Sequence, residues 1–320
     1  MTNAKPVLVS GVKPTGDLHI GNYFGAMRQF VELTKEGKYR PYIFVADYHA
    51  LNTMQDAEEM RARTLEVVMA YLAIGLDPND VVFFKQSDVP THTELCWIFD
   101  TITTMPYLMR AHAFKDAEAK NKEICVGTFN YPMLMAADIL LYDADVVPVG
   151  ADQKQHIEIA RDTAEKFNRT FKTETFKLPE PYIMPDVAVV PGTDGRKMSK
   201  SYNNVIPLFC SRDELTKAVM SIVTDSSGER PENVYALHKL VRSEQELEQV
   251  YAQHNGNYKA LKETLIQDLY NYFAPINAKY EELKKDPSAI YDLLEKGKIE
   301  ARAVSEAKME EVRKAIGVAN

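Results

Sequence analysis

A chain of 320 residues with a formal charge of −8, 45% hydrophobic and 26% charged, has the make-up of a globular protein of one large or two domains. It contains no apolar run of about eighteen residues, so no membrane span is expected, and the opening MTNAKPVLVS lacks the basic and long apolar regions of a signal peptide. The acidic balance argues against a broad nucleic-acid face, because phosphate binding needs clustered Lys and Arg, so any RNA partner must be met by local basic patches. Cys96, Cys125 and Cys210 are far apart and in no metal spacing, which fits a reducing, cytoplasmic setting.

Val7-Leu8-Val9 reads as a buried strand, followed by a loop with Gly11, Pro14 and Gly16. A helix opens near Asp17, with Ile20, Tyr23, Phe24, Met27, Phe30 and Val31 on one face. Ile43–Ala46 is the next strand, and Asp56 starts a helix that stops at Gly75. Val81–Phe84, Val146–Val149 and Val187–Val190 read as three further strands. This alternation predicts an α/β fold, a doubly wound parallel sheet of Rossmann type, with ligands at the carboxyl ends of the strands.

After about residue 205 the strand signals fade. Ser211 with Glu214 three residues on makes a capping box, and helical patterns follow over 232–253, 257–283 and 298–316. Asp194-Gly195-Arg196 is a turn in a loop between the two regions. The expected division is an α/β domain over 1–195, with an insertion at about 85–145, and an all-helical domain over 196–320 whose last helix packs back on the first.

Two short segments carry the chemistry. Pro14-Thr15-Gly16-Asp17-Leu18-His19-Ile20-Gly21-Asn22 joins a strand end to a helix start, where glycines admit a ligand and free N–H groups attract phosphate. His19 and Asn22 can donate to phosphate oxygens there; the plainer alternative is a glycine-rich turn with a locally satisfied histidine. Lys197-Met198-Ser199-Lys200-Ser201 follows the turn at Gly192–Gly195, and its lysines could neutralise departing pyrophosphate. The plainer alternative is a solvated basic loop.

Together, in this order, the two segments resemble the class I aminoacyl-tRNA synthetases, with His19-Ile20-Gly21-Asn22 standing for the HIGH signature and Lys197–Ser201 matching KMSKS in full. The middle of the chain narrows this. Tyr131-Pro132-Met133-Leu134-Met135-Ala136-Ala137-Asp138-Ile139-Leu140-Leu141-Tyr142 and Val147-Pro148-Val149-Gly150-Ala151-Asp152-Gln153-Lys154-Gln155-His156 resemble the tryptophanyl-tRNA synthetases, and that resemblance covers essentially the whole chain. From the residues alone, Asp138 in an apolar helix either faces solvent or accepts a hydrogen bond from a ligand while Met135 packs a ring.

The resemblance implies that Asp138 binds the indole N–H, that Met135 lines the ring pocket, and that His49, in Asp47-Tyr48-His49-Ala50, borders the substrate with Val147 and Val149. It implies that Gln153 holds the substrate amine, Asp152 the ribose, and the backbone around Val187 the adenine. Lys115 is expected to reach the phosphates and to act in catalysis with His19, Asn22, Lys197 and Lys200. Further contacts to ATP are expected from Lys13, Pro14, Thr15 and Gly21, from Gly150 and Ala151, and from Met198, Ser199 and Ser201. The chain departs from many bacterial relatives at Val9, Lys13 and Ala151, where Phe, Gln and Glu are common; Lys13 adds a cation near the substrate carboxylate or α-phosphate.

The implied reaction uses ATP and Mg²⁺ to convert L-tryptophan to its adenylate, then charges tRNA(Trp); a homodimer and anticodon reading by the helical region follow from the same resemblance, and no membrane partner is expected from the lack of a long apolar run. Catalysis is positioning and charge stabilisation without a protein nucleophile. The nearest rival is a tyrosyl-tRNA synthetase, whose archaeal type carries Gln at the position of Met135. A small-molecule nucleotidylyltransferase would lack KMSKS, and a non-catalytic RNA-binding paralogue would not need His19, Lys197 and Lys200.

Overall fold

The computed structural model describes residues 4–14, 16–111, 114–115, 118, 124–150, 154–183, 189–224 and 230–319. Its described strands are β1 (Val7–Val12), β2 (Arg40–Val45), β3 (Val82–Lys85), β4 (Val146–Val149) and β5 (Glu180–Ile183), all parallel in the order β3-β2-β1-β4-β5. β1 pairs with β2 from Val7↔Arg40 to Val12↔Val45, and with β4 through Leu8↔Val146. The order reverses between β1 and β4, and in such a sheet the crevice at the carboxyl ends of these two strands is where a ligand enters.

The apolar runs that make the strands also make the two cores. On one face Val9, Tyr42, Phe44 and Phe84 pack with the helices Thr91–Ile102, Val126–Leu140 and Lys154–Phe171. On the other, Leu8, Ile43 and Phe83 pack with Phe30, Val68 and Tyr71. A third cluster holds the helical region to the first motif: Ile20, Tyr23 and Phe24 meet Met198, Leu215, Leu265 and Phe273.

The local signals act as expected at several ends. Asp56 accepts from the Glu58 and Glu59 N–H groups at 2.9 and 2.8 Å and opens the helix Ala57–Ile74, which closes at Gly75 with φ 106°, open to glycine at little cost. Ser211 and Glu214 cap the helix Arg212–Met220 reciprocally, Ser211 N–H donating at 2.8 Å and Glu214 N–H at 3.2 Å.

Two readings are corrected. Among the described residues the fifth strand is Glu180–Ile183, and Val189 and Val190 of the expected Val187–Val190 belong to no strand. Val187 and Ala188 lie outside the described residues; Val189 is exposed, and Val190 gives its carbonyl to Met198 N–H at 2.9 Å instead of to the sheet. A short β-branched run carries strand propensity without naming its partner, whereas Pro181 sits on an edge strand where a missing N–H is tolerated. The pattern over 232–253 is two helices, Glu232–His238 and Glu244–Gln253, the second capped by Ser243, whose Oγ accepts from Glu246 N–H at 3.4 Å.

The helices Tyr258–Lys285 and Ser288–Ala315 complete the chain. The latter lies along β3, covering a sheet edge that would otherwise bare its backbone. Gly297 makes the approach possible: a Cβ there would stand 1.9 Å from the Phe83 carbonyl oxygen. Arg313 clamps Glu94 with two nitrogens at 2.8 and 2.7 Å, fixing this helix to Thr91–Ile102.

Candidate active site

Three strand ends meet at one crevice, and the end of β3 lies behind it. Lys13 follows β1, His49 lies in the short helix Asp47–Ala50 after β2, Gln86 follows β3, and Gly150 follows β4. Asp47 ties two of these ends together, accepting from the Tyr48 and Ser87 backbone N–H groups at 3.0 Å each and from the Ser87 hydroxyl.

The crevice holds two adjoining cavities. One, of about 380 Å³, is lined by Val9, Phe44, His49, Tyr131, Met135, Asp138, Val147, Val149, Gly150 and His156. The second, of about 680 Å³, is lined by His19, Gly21, Asn22, Lys197, Met198, Ser199 and Ser201. Val12, Lys13, Ala26 and Tyr71 border both. Lys13 therefore stands at the junction, where crowding by the surrounding protein lowers its ammonium pKa.

At the floor of the first cavity Asp138 is 1% exposed, which rules out the solvent-facing alternative. Oδ1 accepts from Gln86 Nε2 at 2.7 Å and lies 2.6 Å from His92 Nδ1; Oδ2 lies 2.8 Å from His49 Nε2. Burial works to raise this carboxyl, but the hydrogen bonds and charge of His49 and His92 outweigh it and hold the group at about 2. A carboxylate kept ionised in an apolar pocket accepts a ligand N–H and donates nothing. Tyr131 and His156 close the cavity wall through a 2.8 Å contact between hydroxyl and Nε2.

In the second cavity His19 is the residue before the helix, with φ −124° and ψ 163°, and Asn22 Oδ1 accepts from its backbone N–H at 3.1 Å. Its imidazole is buried, its Nδ1 has no protein partner, and burial with the charge of Lys200 pushes it down to about 4. At neutral pH the ring is uncharged and can offer an N–H to a phosphate. Gly21 is required beside it, since a Cβ would lie 2.8 Å from His19 Nδ1.

The KMSKS segment is pinned by Asn204, 1% exposed, which accepts from Ser199 N–H at 2.8 Å and donates to Asp194 Oδ1 at 2.6 Å and the Lys197 carbonyl at 3.2 Å. Lys197, Ser199 and Ser201 line the cavity, and Met198 is both cavity wall and core. Lys200 is not among the lining residues: its Nζ lies where a Cβ on Gly16 would be 3.1 Å away, beside Asp17, Arg63 and Glu66.

Other expected residues also stand apart. Pro14 is buried and borders neither cavity, and Lys115 is exposed and borders neither. Gly150 borders the first cavity and not the second. Thr15, Ala151, Asp152, Gln153 and Val187 lie outside the described residues. Gln86, His92 and Asn204 have no motif of their own in the sequence, whereas Tyr131 and His156 sit inside the quoted blocks without a role being assigned.

Comparison with known proteins gives the same family from three directions. The family model described as tRNA synthetases class I (W and Y) matches residues 1–292. The tryptophan–tRNA ligase of Fusobacterium nucleatum is 46% identical over 318 residues, 97% of each chain. The crystal structure of tryptophanyl-tRNA synthetase from Campylobacter jejuni complexed with ADP and tryptophan is similar with a TM-score of 0.91 and 42% identity over 97% of this chain and 99% of that one. That from Mycoplasma pneumoniae follows with a TM-score of 0.80 and 29% identity over 98% of each chain. Near-full-length identity of this order, on a doubly wound sheet whose strand ends carry both signature segments, means that the chain belongs to the class I aminoacyl-tRNA synthetases, in the tryptophan–tRNA ligase family.

Proposed function

We infer that this chain activates L-tryptophan with ATP and transfers it to tRNA(Trp). The carrying observation is Asp138: an ionised, fully buried acceptor at the floor of an apolar cavity that opens onto the cavity holding His19 and Lys197. An indole fits such a floor, its one polar atom being a donor and the rest of the ring apolar against Met135, Val147 and Phe44.

In the first step a tryptophan carboxylate oxygen attacks the α-phosphorus of ATP; the bond to the bridging oxygen breaks in line, and pyrophosphate leaves with the electron pair. Lys13, at the junction, faces the meeting point of carboxylate and α-phosphate. His19, Asn22 and Lys197 meet the outer phosphates, the imidazole as a neutral donor. Lys200 joins them by leaving Asp17 and Glu66 as the loop closes over ATP. Mg²⁺, when bound, would supply neutralisation of the phosphate charge beside His19, Asn22 and Lys197; among the described residues no group of three or more His, Cys, Asp and Glu is arranged to hold a metal. In the second step a ribose hydroxyl of the tRNA 3′ end attacks the acyl carbon and AMP leaves.

Gln153 for the amine, Asp152 and Val187 for the nucleoside, and Lys115 for the phosphates complete the proposed site. Residues 1–195 form the catalytic domain in this reading. Exposed Trp97, Met105, Met109 and Val126, within the segment 85–145, fit a homodimer face. The helical region over 196–320 reads the anticodon. A cytoplasmic setting agrees with the finding that, among the described residues, no helix is long and apolar enough to cross a membrane.

The test is amino-acid-dependent ATP–pyrophosphate exchange with Trp, Tyr and Phe side by side. Exchange with tryptophan alone is expected. Exchange with tyrosine alone would overturn the assignment of Asp138 and Met135, and none with any of the three would overturn adenylation.

A further inference from the structure

Asp138 is held from behind by residues that never reach the ligand cavity. His92, on the helix Thr91–Ile102, is 0% exposed and does not border the cavity; nor does Gln86. The imidazole is gripped at both nitrogens, Nδ1 at 2.6 Å from Asp138 Oδ1 and Nε2 at 2.8 Å from the Tyr142 hydroxyl. Tyr142 is itself fixed, 2% exposed, with its ring stacked on Tyr42 at 5.0 Å and against Phe84 at 5.6 Å. An ionised Asp138 has no proton to give, so His92 Nδ1 is the donor at Oδ1, while the Tyr142 hydroxyl holds Nε2 at the other end of the ring. His92 is thus fixed at both nitrogens, between Tyr142 and Asp138.

The acceptor count follows. Oδ1 receives Gln86 and His92, which uses both of its lone pairs; Oδ2 receives His49 and keeps one. His49 lines the cavity, so the open position is on the cavity side.

We propose that His92, locked by Tyr142, is a positioning residue for ring-N–H selectivity: by saturating Oδ1 it leaves Asp138 a single acceptor position, on Oδ2, which only a donor on the substrate ring can satisfy. This rests on the reading that Asp138 faces the substrate ring. It assigns to a residue remote from the substrate the discrimination between an indole and a ring of the same shape without the N–H.

The experiment is ATP–pyrophosphate exchange on the full chain with L-tryptophan and with its benzothiophene isostere, in which sulfur replaces the ring N–H. Wild type, His92→Leu, His92→Asn and Tyr142→Phe are compared. In His92→Leu, KM for tryptophan should rise about 10- to 100-fold, the range set by one lost hydrogen bond to a charged group. The kcat at saturating tryptophan and KM for ATP should move much less, and the preference for tryptophan over the isostere should fall by about tenfold or more. His92→Asn, whose amide can donate to Oδ1 from the same place, should recover part of that preference. Tyr142→Phe keeps the ring and its stacking but frees His92 Nε2, and should lower the preference about three- to tenfold. If circular dichroism shows His92→Leu unfolded, the Asn and Phe variants decide the matter. A wild-type preference that survives undiminished in every folded variant overturns this inference alone, whereas no tryptophan exchange by the wild-type protein overturns the functional reading and this inference with it.

Discussion

Replacing Asp138 by Asn changes one oxygen to NH₂ at almost constant volume, so the cavity keeps its shape and only its polarity changes. The carboxylate takes three contacts at 2.6–2.8 Å, two on Oδ1 and one on Oδ2. The amide oxygen can serve one side only. Left with Gln86 and His92, it puts the NH₂ where Oδ2 was, facing His49 and the cavity. His49 can adapt by moving its proton to the other ring nitrogen, but an indole N–H has no acceptor form. The substrate loses a charge-assisted bond worth about 1.5–3 kcal/mol and meets an unsatisfied donor costing about 1–3 kcal/mol. A total of about 3 kcal/mol or more corresponds to a loss of roughly 150-fold or more in kcat/KM for tryptophan, with KM for ATP nearly constant. Steady-state ATP–pyrophosphate exchange over a tryptophan titration, with circular dichroism to establish folding, measures this. A folded variant within about tenfold of the wild-type kcat/KM would refute the placement of Asp138 against the substrate.

Lys13→Gln removes the cation at the junction of the two cavities and should lower the exchange rate about tenfold or more at saturating substrates; an unchanged rate ends the role given to Lys13. Gly21→Ala drives a Cβ to 2.8 Å from His19 Nδ1 and 3.2 Å from Met198 Cβ, so KM for ATP should rise about tenfold while the melting temperature moves little. Gly297→Ala forces the last helix off the Phe83 backbone, and overpacking of this kind costs about 1–3 kcal/mol or more, so scanning fluorimetry should show a melting temperature several degrees lower. His19 is held at about 4, below its ordinary 6.5, so between these values the unfolded chain binds a proton that the folded chain refuses. Stability from this group is present above pH 6.5 and lost as pH falls toward 4; His19→Gln should make the drop in urea midpoint between pH 7 and pH 5 smaller, by up to about 2 kcal/mol in unfolding free energy.

Much of the site could be read along the chain because its strongest parts are local. A glycine after His19 and a capping Asn22 need only a few consecutive residues, as does the KMSKS run, and Asp138 is conspicuous in an apolar helix. The parts that could not be read are non-local. Asn204 pins Ser199 and Lys197 from a turn whose residue at Asn203 has φ 52°, and nothing in its neighbours marks it. The strand expected at Val187–Val190 carried the right residues, but a sheet position is decided by pairing, and Glu180–Ile183 pairs with β4 from Val146↔Glu180 onward. Lys200 sits on the expected loop and turns to Asp17 and Glu66, an orientation that depends on which charges the fold brings alongside.

Asp138 shows how far local reading reaches. A buried carboxylate announces that donors exist, because without them its charge could not stay in the apolar interior. It does not name them, and they lie 89, 52 and 46 residues away at His49, Gln86 and His92. Yet their positions follow from the sheet order. In β3-β2-β1-β4-β5 the carboxyl ends of β2 and β3 flank the crevice beside β1, and His49 and Gln86 are among the first few residues beyond those ends, with His92 on the helix that follows. Once the strand order is known, a search for donors confined to the residues just after each strand finds two of the three. The third, His92, is found by asking which polar side chain the next helix buries completely. The acceptor thus belongs to the sequence pattern and its donors to the topology, so the selectivity for a ring N–H is a property of the sheet order as much as of Asp138.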